Sequence, residues 1–268
     1  MLLNLGARRI CYDLIGPEGG RTIVFAHALA ADSGMWAEQI PALIGLGFRI
    51  LRIDMRGHGS SDGAPGDHTL QELASDIVAV LDRLGIAKAD YVGLSIGGMI
   101  GEALAIHFPR RVSSLMLCET PPASLRNAAE IWGPRVAAVR AANSLEPISD
   151  ATMERWLTPD FRMRHPQRWQ QIRDTVAATK PDGYCGCVAA LSRFDFTHEL
   201  PNVRLPALVL YGEEDRATSH EENQRLASLI PGGRFIAFAG ARHLPNVEAP
   251  DRFNRILIEW LTKLSSPA

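Results

Sequence analysis

The chain has 268 residues and a formal net charge of -2, which leaves no basic footprint for nucleic acid or an anionic membrane surface. Hydrophobic residues at 46% and charged residues at 22% exclude a disordered or fibrous polymer. The length is near the upper end of what one hydrophobic core organises, so one core domain carrying an insertion is expected.

The opening run Met1-Leu2-Leu3-Asn4-Leu5 is too short for a signal peptide, and Arg8 and Arg9 follow it instead of preceding it. No later stretch is apolar for long enough to span a bilayer, so a cytoplasmic protein without a membrane partner is expected. Short, nearly all-apolar runs then alternate with helical patterns. Strands are expected at 21–26, 48–53, 91–94, 112–117, 207–211 and 234–238, of the kind covered on both faces in a parallel sheet. Leu70, Leu73, Ile77, Leu81 and Leu84 recur at helical spacing behind a Thr69/Glu72 capping box. Phe253, Ile256, Leu257 and Trp260 predict a closing helix.

From Glu119 to Leu205 the alternation stops. The pattern there is helical, with Pro121, Pro122, Pro134, Pro147, Pro159 and Pro166 expected to break it into short pieces. The class is therefore α/β: a mostly parallel central sheet flanked by helices, with a core domain over 1–120 and 204–268 and an inserted helical cap over 121–203. Cys11, Cys118, Cys185 and Cys187 are too sparse for a disulfide scaffold, and Cys185-Gly186-Cys187 lacks a second ligand pair for zinc.

Gly93-Leu94-Ser95-Ile96-Gly97-Gly98 falls where an apolar strand passes into an apolar helix. A serine on so sharp a turn stands at the carboxyl edge of the sheet, beside a helix N-terminus that favours developing negative charge. Its hydroxyl needs a general base and an acid to orient that base. In this type of turn the chain order is serine, acid, histidine. Val209 to Asp215 ends a strand in a turn with three carboxylates; Asp215 lies beyond the glycine turn, and Glu213 and Glu214 are expected to face solvent. His243 lies on a loop between the last strand and the last helix, and is the expected base. Backbone N–H groups of Ile96, and of Leu29 in the loop after the first of these strands, are expected to hold the oxyanion, each worth about 3 to 4 kcal/mol. No metal-ligand cluster and no phosphate loop is apparent, so no cofactor is expected.

Ser33 to Trp36, Asp54 to Asp62, Gly93 to Gly98, Tyr211 to Asp215 and His243 to Pro250 together resemble the α/β-hydrolase 3-oxoadipate enol-lactonases. In the cap, Ile131 to Arg140 and Gly183 to Cys187 extend the likeness. The resemblance implies the α/β-hydrolase fold and hydrolysis of a five-membered enol-lactone, with Ser95, Asp215 and His243 in matching positions. It departs at the oxyanion loop, where the family carries a Ser-Asn-Ser-Leu-Gly type of sequence and this chain has Ala26-His27-Ala28-Leu29-Ala30. The family's substrate bears a carboxylate, and the resemblance points to Arg135, beside Trp132, as its cation. Arg56 and His58 are expected to shape their own loop.

The expected partner is thus a small lactone or ester, and a homo-oligomer is compatible with the sequence. Rival readings on the same site are a broad carboxylesterase, a carbon–carbon bond hydrolase and a perhydrolase. A rival of another class is a non-catalytic small-molecule receptor.

Overall fold

The computed structural model describes residues 1–6 and 8–264. An eight-stranded sheet runs through it, made of β1 (Leu2–Asn4), β2 (Arg9–Ile15), β3 (Thr22–Ala26), β4 (Arg49–Ile53), β5 (Ala89–Leu94), β6 (Val112–Cys118), β7 (Ala207–Gly212) and β8 (Arg234–Phe238). Their spatial order is β1-β2-β4-β3-β5-β6-β7-β8. The pairs from β4 through β8 are parallel, and β2 pairs antiparallel with both β1 and β4. Every residue of β3, β5 and β7 is buried, as nearly all-apolar strands covered on both faces require; the two polar side chains among them, Thr22 and Asp90, are buried with the rest.

The first two strands are an addition to what the sequence led us to expect. In β2, Ile10, Tyr12 and Leu14 alternate with Arg9, Cys11 and Asp13, the period-two signature of a half-covered strand near an edge. That signal is present but faint, because only Ile10 of the seven residues is fully buried.

Helices α1 (Ile40–Ile44), α2 (Leu70–Arg83) and α3 (Ile96–His107) connect the strands up to β6. The capping box of α2 closes in both directions: the Glu72 N–H donates to Thr69 Oγ1 at 3.2 Å, and the Thr69 N–H to Glu72 Oε2 at 2.8 Å. Leu70, Leu73, Ile77 and Leu81 are buried on its sheet-facing side, as their spacing predicts.

Between β6 and β7 lie α4 (Ala128–Ala142), α5 (Glu146–Trp156), α6 (Pro159–Arg164), α7 (Pro166–Ala178) and α8 (Pro181–Leu191). Pro147, Pro159, Pro166 and Pro181 sit in first turns, where the missing N–H costs nothing. Pro134 behaves otherwise: it lies inside an unbroken α4. Gly133 and Pro134 are both exposed, so water can satisfy the carbonyl that the proline leaves without a donor. The chain ends with α9 (His220–Leu229), α10 (Pro245–Glu248) and α11 (Pro250–Lys263), the last burying Phe253, Leu257, Trp260 and Leu261. Among the described residues no helix is long and apolar enough to cross a membrane.

After β3 the chain adds β4 on one side, and β5 then returns to the other side of β3. Such a reversal opens a crevice beyond the carboxyl ends of the two inner strands. Ala26 of β3 is in register with Gly93 of β5, so the loops carrying Leu29 and Ser95 leave the sheet side by side.

Candidate active site

Ser95 sits at that crevice with φ 59° and ψ -123°, a conformation that a side chain adopts only when its surroundings impose it. The Ser95 N–H donates to Cys118 O at 2.8 Å, and the Tyr91 hydroxyl to Gly97 O at 2.7 Å. Close approach explains the two flanking glycines. A Cβ on Gly93 would stand 2.2 Å from the Gly97 carbonyl oxygen, and one on Gly97 2.4 Å from that of Ala26. Ala30 and Glu119 also have positive φ, at 63° and 52°, so the strained non-glycine residues cluster at the carboxyl edge, with Asn143 at the end of α4 the one other among the described residues.

Asp215 lies in the turn after β7 and His243 in the loop after β8. The His243 Nδ1–H donates to Asp215 Oδ2 at 3.0 Å, and both side chains are almost fully buried. Asp215 also accepts from the Ala217 and Thr218 N–H groups and from the Thr218 hydroxyl at 2.6 Å. Burial opposes its charge, but His243 and these donors outweigh it and hold the carboxyl below its ordinary pKa. Glu213 and Glu214 are exposed.

The His243 loop is tied to the segment between α5 and α6. Arg242 Nη1 donates to the Glu154 and Leu157 carbonyls, while Glu248 accepts from the N–H groups of Arg242 and Thr158, both at 2.6 Å. The indole of Trp156 stacks on the imidazole.

Ser95 and His243 open onto one cavity of about 260 Å³. Among the described residues no hydrogen bond joins the Ser95 hydroxyl to His243; the two share a wall of the cavity. Leu29 lines it too, and its N–H has no protein acceptor among the described residues. The Ile96 N–H is the first of α3 and has no carbonyl one turn earlier to bind. His27 is held away from chemistry. Its Nε2 accepts the Met55 N–H at 2.9 Å and its Nδ1 faces Ala28 O at 2.8 Å, which fixes the Nδ1–H tautomer, and burial lowers its pKa. Arg56 pairs with Asp76 of α2, and His58 Nδ1 lies 3.1 Å from Arg56 O.

Trp132 and Arg135 of α4 both line the cavity, the guanidinium 4.7 Å from the indole centroid. Arg155 of α5, which sequence reasoning missed, lines it as well. Neither arginine has a carboxylate partner among the described residues; Arg155 meets only the Thr152 hydroxyl, at 3.2 Å. Burial, and then the like charge of Arg135, lowers the Arg155 pKa to about 10. The place of Arg155 beside Arg135 comes from the packing of α5 against α4, which the sequence does not spell out.

Glu119, at the end of β6, was also missed. Its side chain is fully buried, and its Oε1 accepts the Gly212 N–H at 2.7 Å. One ligand atom each from Glu119, Asp215 and His243 lie within 4.8 Å of one another, a spacing that a metal could use. The Asp215–His243 bond and the Gly212 and Thr218 donors already engage these groups with one another.

A family model described as alpha/beta hydrolase fold matches residues 21–250. The chain is 32% identical to 3-oxoadipate enol-lactonase 2 of Acinetobacter baylyi over 91% of its own length and 89% of the relative's. The crystal structure of the enol-lactonase from Burkholderia xenovorans is similar with a TM-score of 0.93 at 33% identity, covering 98% of this chain and 100% of that one. A thermophilic esterase from Thermogutta terrifontis follows at 0.89 and 28%, covering 97% and 95%. With the strand order, the strained serine turn and these likenesses together, the chain belongs to the α/β-hydrolase family.

Proposed function

We propose that this hydrolase cleaves a carboxylic ester bond in a small lactone, of the 3-oxoadipate enol-lactone kind, through an acyl-enzyme on Ser95. The observation that carries the reading is the His243–Asp215 hydrogen bond at the wall of the cavity that Ser95 also lines. His243 takes the Ser95 proton as the hydroxyl oxygen adds to the lactone carbonyl. The oxyanion is held by the Leu29 and Ile96 N–H groups. When the ring C–O bond breaks, the departing oxygen receives the proton from His243 and stays attached to the acyl chain. Water then adds by the same base, releasing the hydroxy or oxo acid and restoring Ser95.

Arg135 and Arg155 favour a substrate with a carboxylate remote from the scissile bond, because two partly desolvated cations without a carboxylate leave a charge for the ligand to complete. In this reading the helices within 121–203 form the cap that closes over the substrate. A panel of carboxylated enol-lactones, saturated lactones and neutral aryl esters, ranked by kcat/KM for the parent and Ser95→Ala, tests it. Preference for the carboxylated lactones, abolished in Ser95→Ala, is expected. Full hydrolysis by Ser95→Ala would end the acyl-enzyme mechanism, and better turnover of neutral esters would point to a broad carboxylesterase.

A further inference from the structure

Behind the proposed Ser95–His243–Asp215 relay lies a second carboxyl group that the mechanism does not use. Glu119 follows β6 directly, and its backbone is held in the left-handed region at φ 52° by its own N–H donating to Leu210 O at 3.0 Å and the next N–H, of Thr120, donating to Asn223 Oδ1 at 3.0 Å. Strain of this kind persists only where the surroundings enforce it. Its effect is to turn the Glu119 carboxyl in toward Asp215 instead of outward.

The two oxygens of Glu119 differ. Oε1 accepts the Gly212 N–H at 2.7 Å, whereas Oε2 is buried and receives no donor among the described residues. An ionised carboxylate in that position would be an uncompensated charge facing a second anion, since Asp215 lies within 4.8 Å. A proton on Oε2 resolves both difficulties, because the orphan acceptor becomes a donor and its neighbour is a carboxylate. Asp215 Oδ1 has room for it: among the described residues Oδ1 accepts only the Ala217 N–H, while Oδ2 accepts from Thr218 and His243.

We propose that Glu119 is a positioning residue, a carboxylic acid protonated on Oε2 that donates a hydrogen bond to Asp215 and so fixes the carboxylate orienting His243. The proposal rests on the reading of Ser95, Asp215 and His243 as the catalytic relay. The titratable groups around Glu119 are Asp215 and Tyr211 from β7 and its turn, His243 and Glu248 from the last loop and α10, and Cys118 beside it. No lysine or arginine pairs with it among the described residues, so nothing there would stabilise its anion. Burial and then the Asp215 charge raise its pKa well above the ordinary carboxyl value.

Infrared difference spectra of the full chain at neutral pH test the protonation directly. The parent minus Glu119→Gln spectrum is expected to contain a carboxylic-acid carbonyl stretch distinct from the one lost in Glu102→Gln, Glu102 being the other buried acid nearby. Absence of that band overturns the proposal. Kinetics with 4-nitrophenyl acetate test the role. Glu119→Leu is expected to lose roughly tenfold or more in kcat with little change in KM. Glu119→Gln, which can still accept from Gly212 and donate to Asp215, is expected to recover most of that loss and to leave the acid limb of the kcat/KM profile in place.

A downward move of that limb by about one pH unit in Glu119→Gln would mean that an anion had been removed, and would overturn the proposal. If Glu119→Leu does not fold, the infrared band and the Gln profile decide. A parent that turned over no ester would sink the catalytic reading while leaving the infrared result on Glu119 valid.

Discussion

The indole of Trp156 lies against the imidazole of His243, their ring centroids 6.3 Å apart and the planes 27° from parallel. Trp156 closes α5, and its carbonyl accepts the Leu244 N–H at 3.3 Å, so one residue of the helices between β6 and β7 touches both the ring and the backbone of the histidine loop. Glu248 and Arg242 pin the same loop to Thr158, Leu157 and Glu154. The position of the proposed base is therefore set jointly by the sheet and by the helices between β6 and β7.

Trp156→Ala should loosen the imidazole on the face that the indole covers and leave a cavity. Removing so large a buried side chain costs about 3 to 5 kcal/mol of stability. We expect kcat for 4-nitrophenyl acetate to fall roughly tenfold at a temperature where the variant stays folded by circular dichroism, with Trp156→Phe keeping most of the rate. An unchanged kcat in a folded Trp156→Ala would show that the stacking does not position the ring.

The parts of the candidate site that can be read from the sequence are those fixed by local backbone geometry. Ser95 is readable because its turn demands Gly93 and Gly97 at set distances, and Asp215 because Gly212 must pass close to Arg242, where a Cβ would stand 2.4 Å from the carbonyl oxygen. Arg155 and Glu119 were not readable. Each acquires its meaning from what a different element places opposite it: Arg135 on a neighbouring helix for the first, Asp215 on the adjacent strand's turn for the second. Pro134 escaped for a related reason, since whether a proline breaks a helix depends on whether water reaches the freed carbonyl.

Gly97 offers a test of the turn itself. A methyl group there would need to occupy space 2.4 Å from Ala26 O and 2.9 Å from His27 O, both backbone atoms at the end of β3 and the start of the loop after it. Gly97→Ala is expected to lower the melting temperature and to reduce kcat at least tenfold in whatever fraction remains folded, because β3 and α3 must separate. Gly133→Ala, inside α4 at an exposed site with nothing within 4 Å, serves as the control: kcat should stay near the parent's and the melting temperature should hold or rise slightly, since alanine favours a helix interior over glycine. Equal behaviour of the two variants would remove the packing explanation.

Arg155 should act on binding and not on chemistry. Arg155→Met keeps much of the side-chain bulk while removing the charge, so KM for a carboxylated enol-lactone should rise roughly tenfold, with kcat/KM for neutral 4-nitrophenyl acetate little altered. Because burial and Arg135 bring the Arg155 pKa down to about 10, competitive inhibition by adipate should weaken as pH is raised through that value, and Arg155→Met should lack this step. Equal losses on charged and neutral substrates would mean that Arg155 supports the cavity wall only.

Glu102 carries a prediction about stability. It lies on α3, fully buried, with the Thr120 hydroxyl 3.5 Å from Oε1 and no partner for Oε2 among the described residues. Burial raises its pKa well above the ordinary value, so the folded chain keeps it neutral. In the unfolded chain the same group titrates near 4.3. Below that pH both states are protonated and folding is unaffected; as pH rises above it, only the unfolded state releases the proton, which favours unfolding increasingly up to the folded-state pKa. Glu102→Gln removes the titration while keeping the shape. Its melting temperature should therefore exceed the parent's at pH 8, with the gap closing as pH falls toward 4. A gap independent of pH would show that Glu102 is not the source, since loss of a packing defect alone has no reason to follow the ionisation of a carboxyl group.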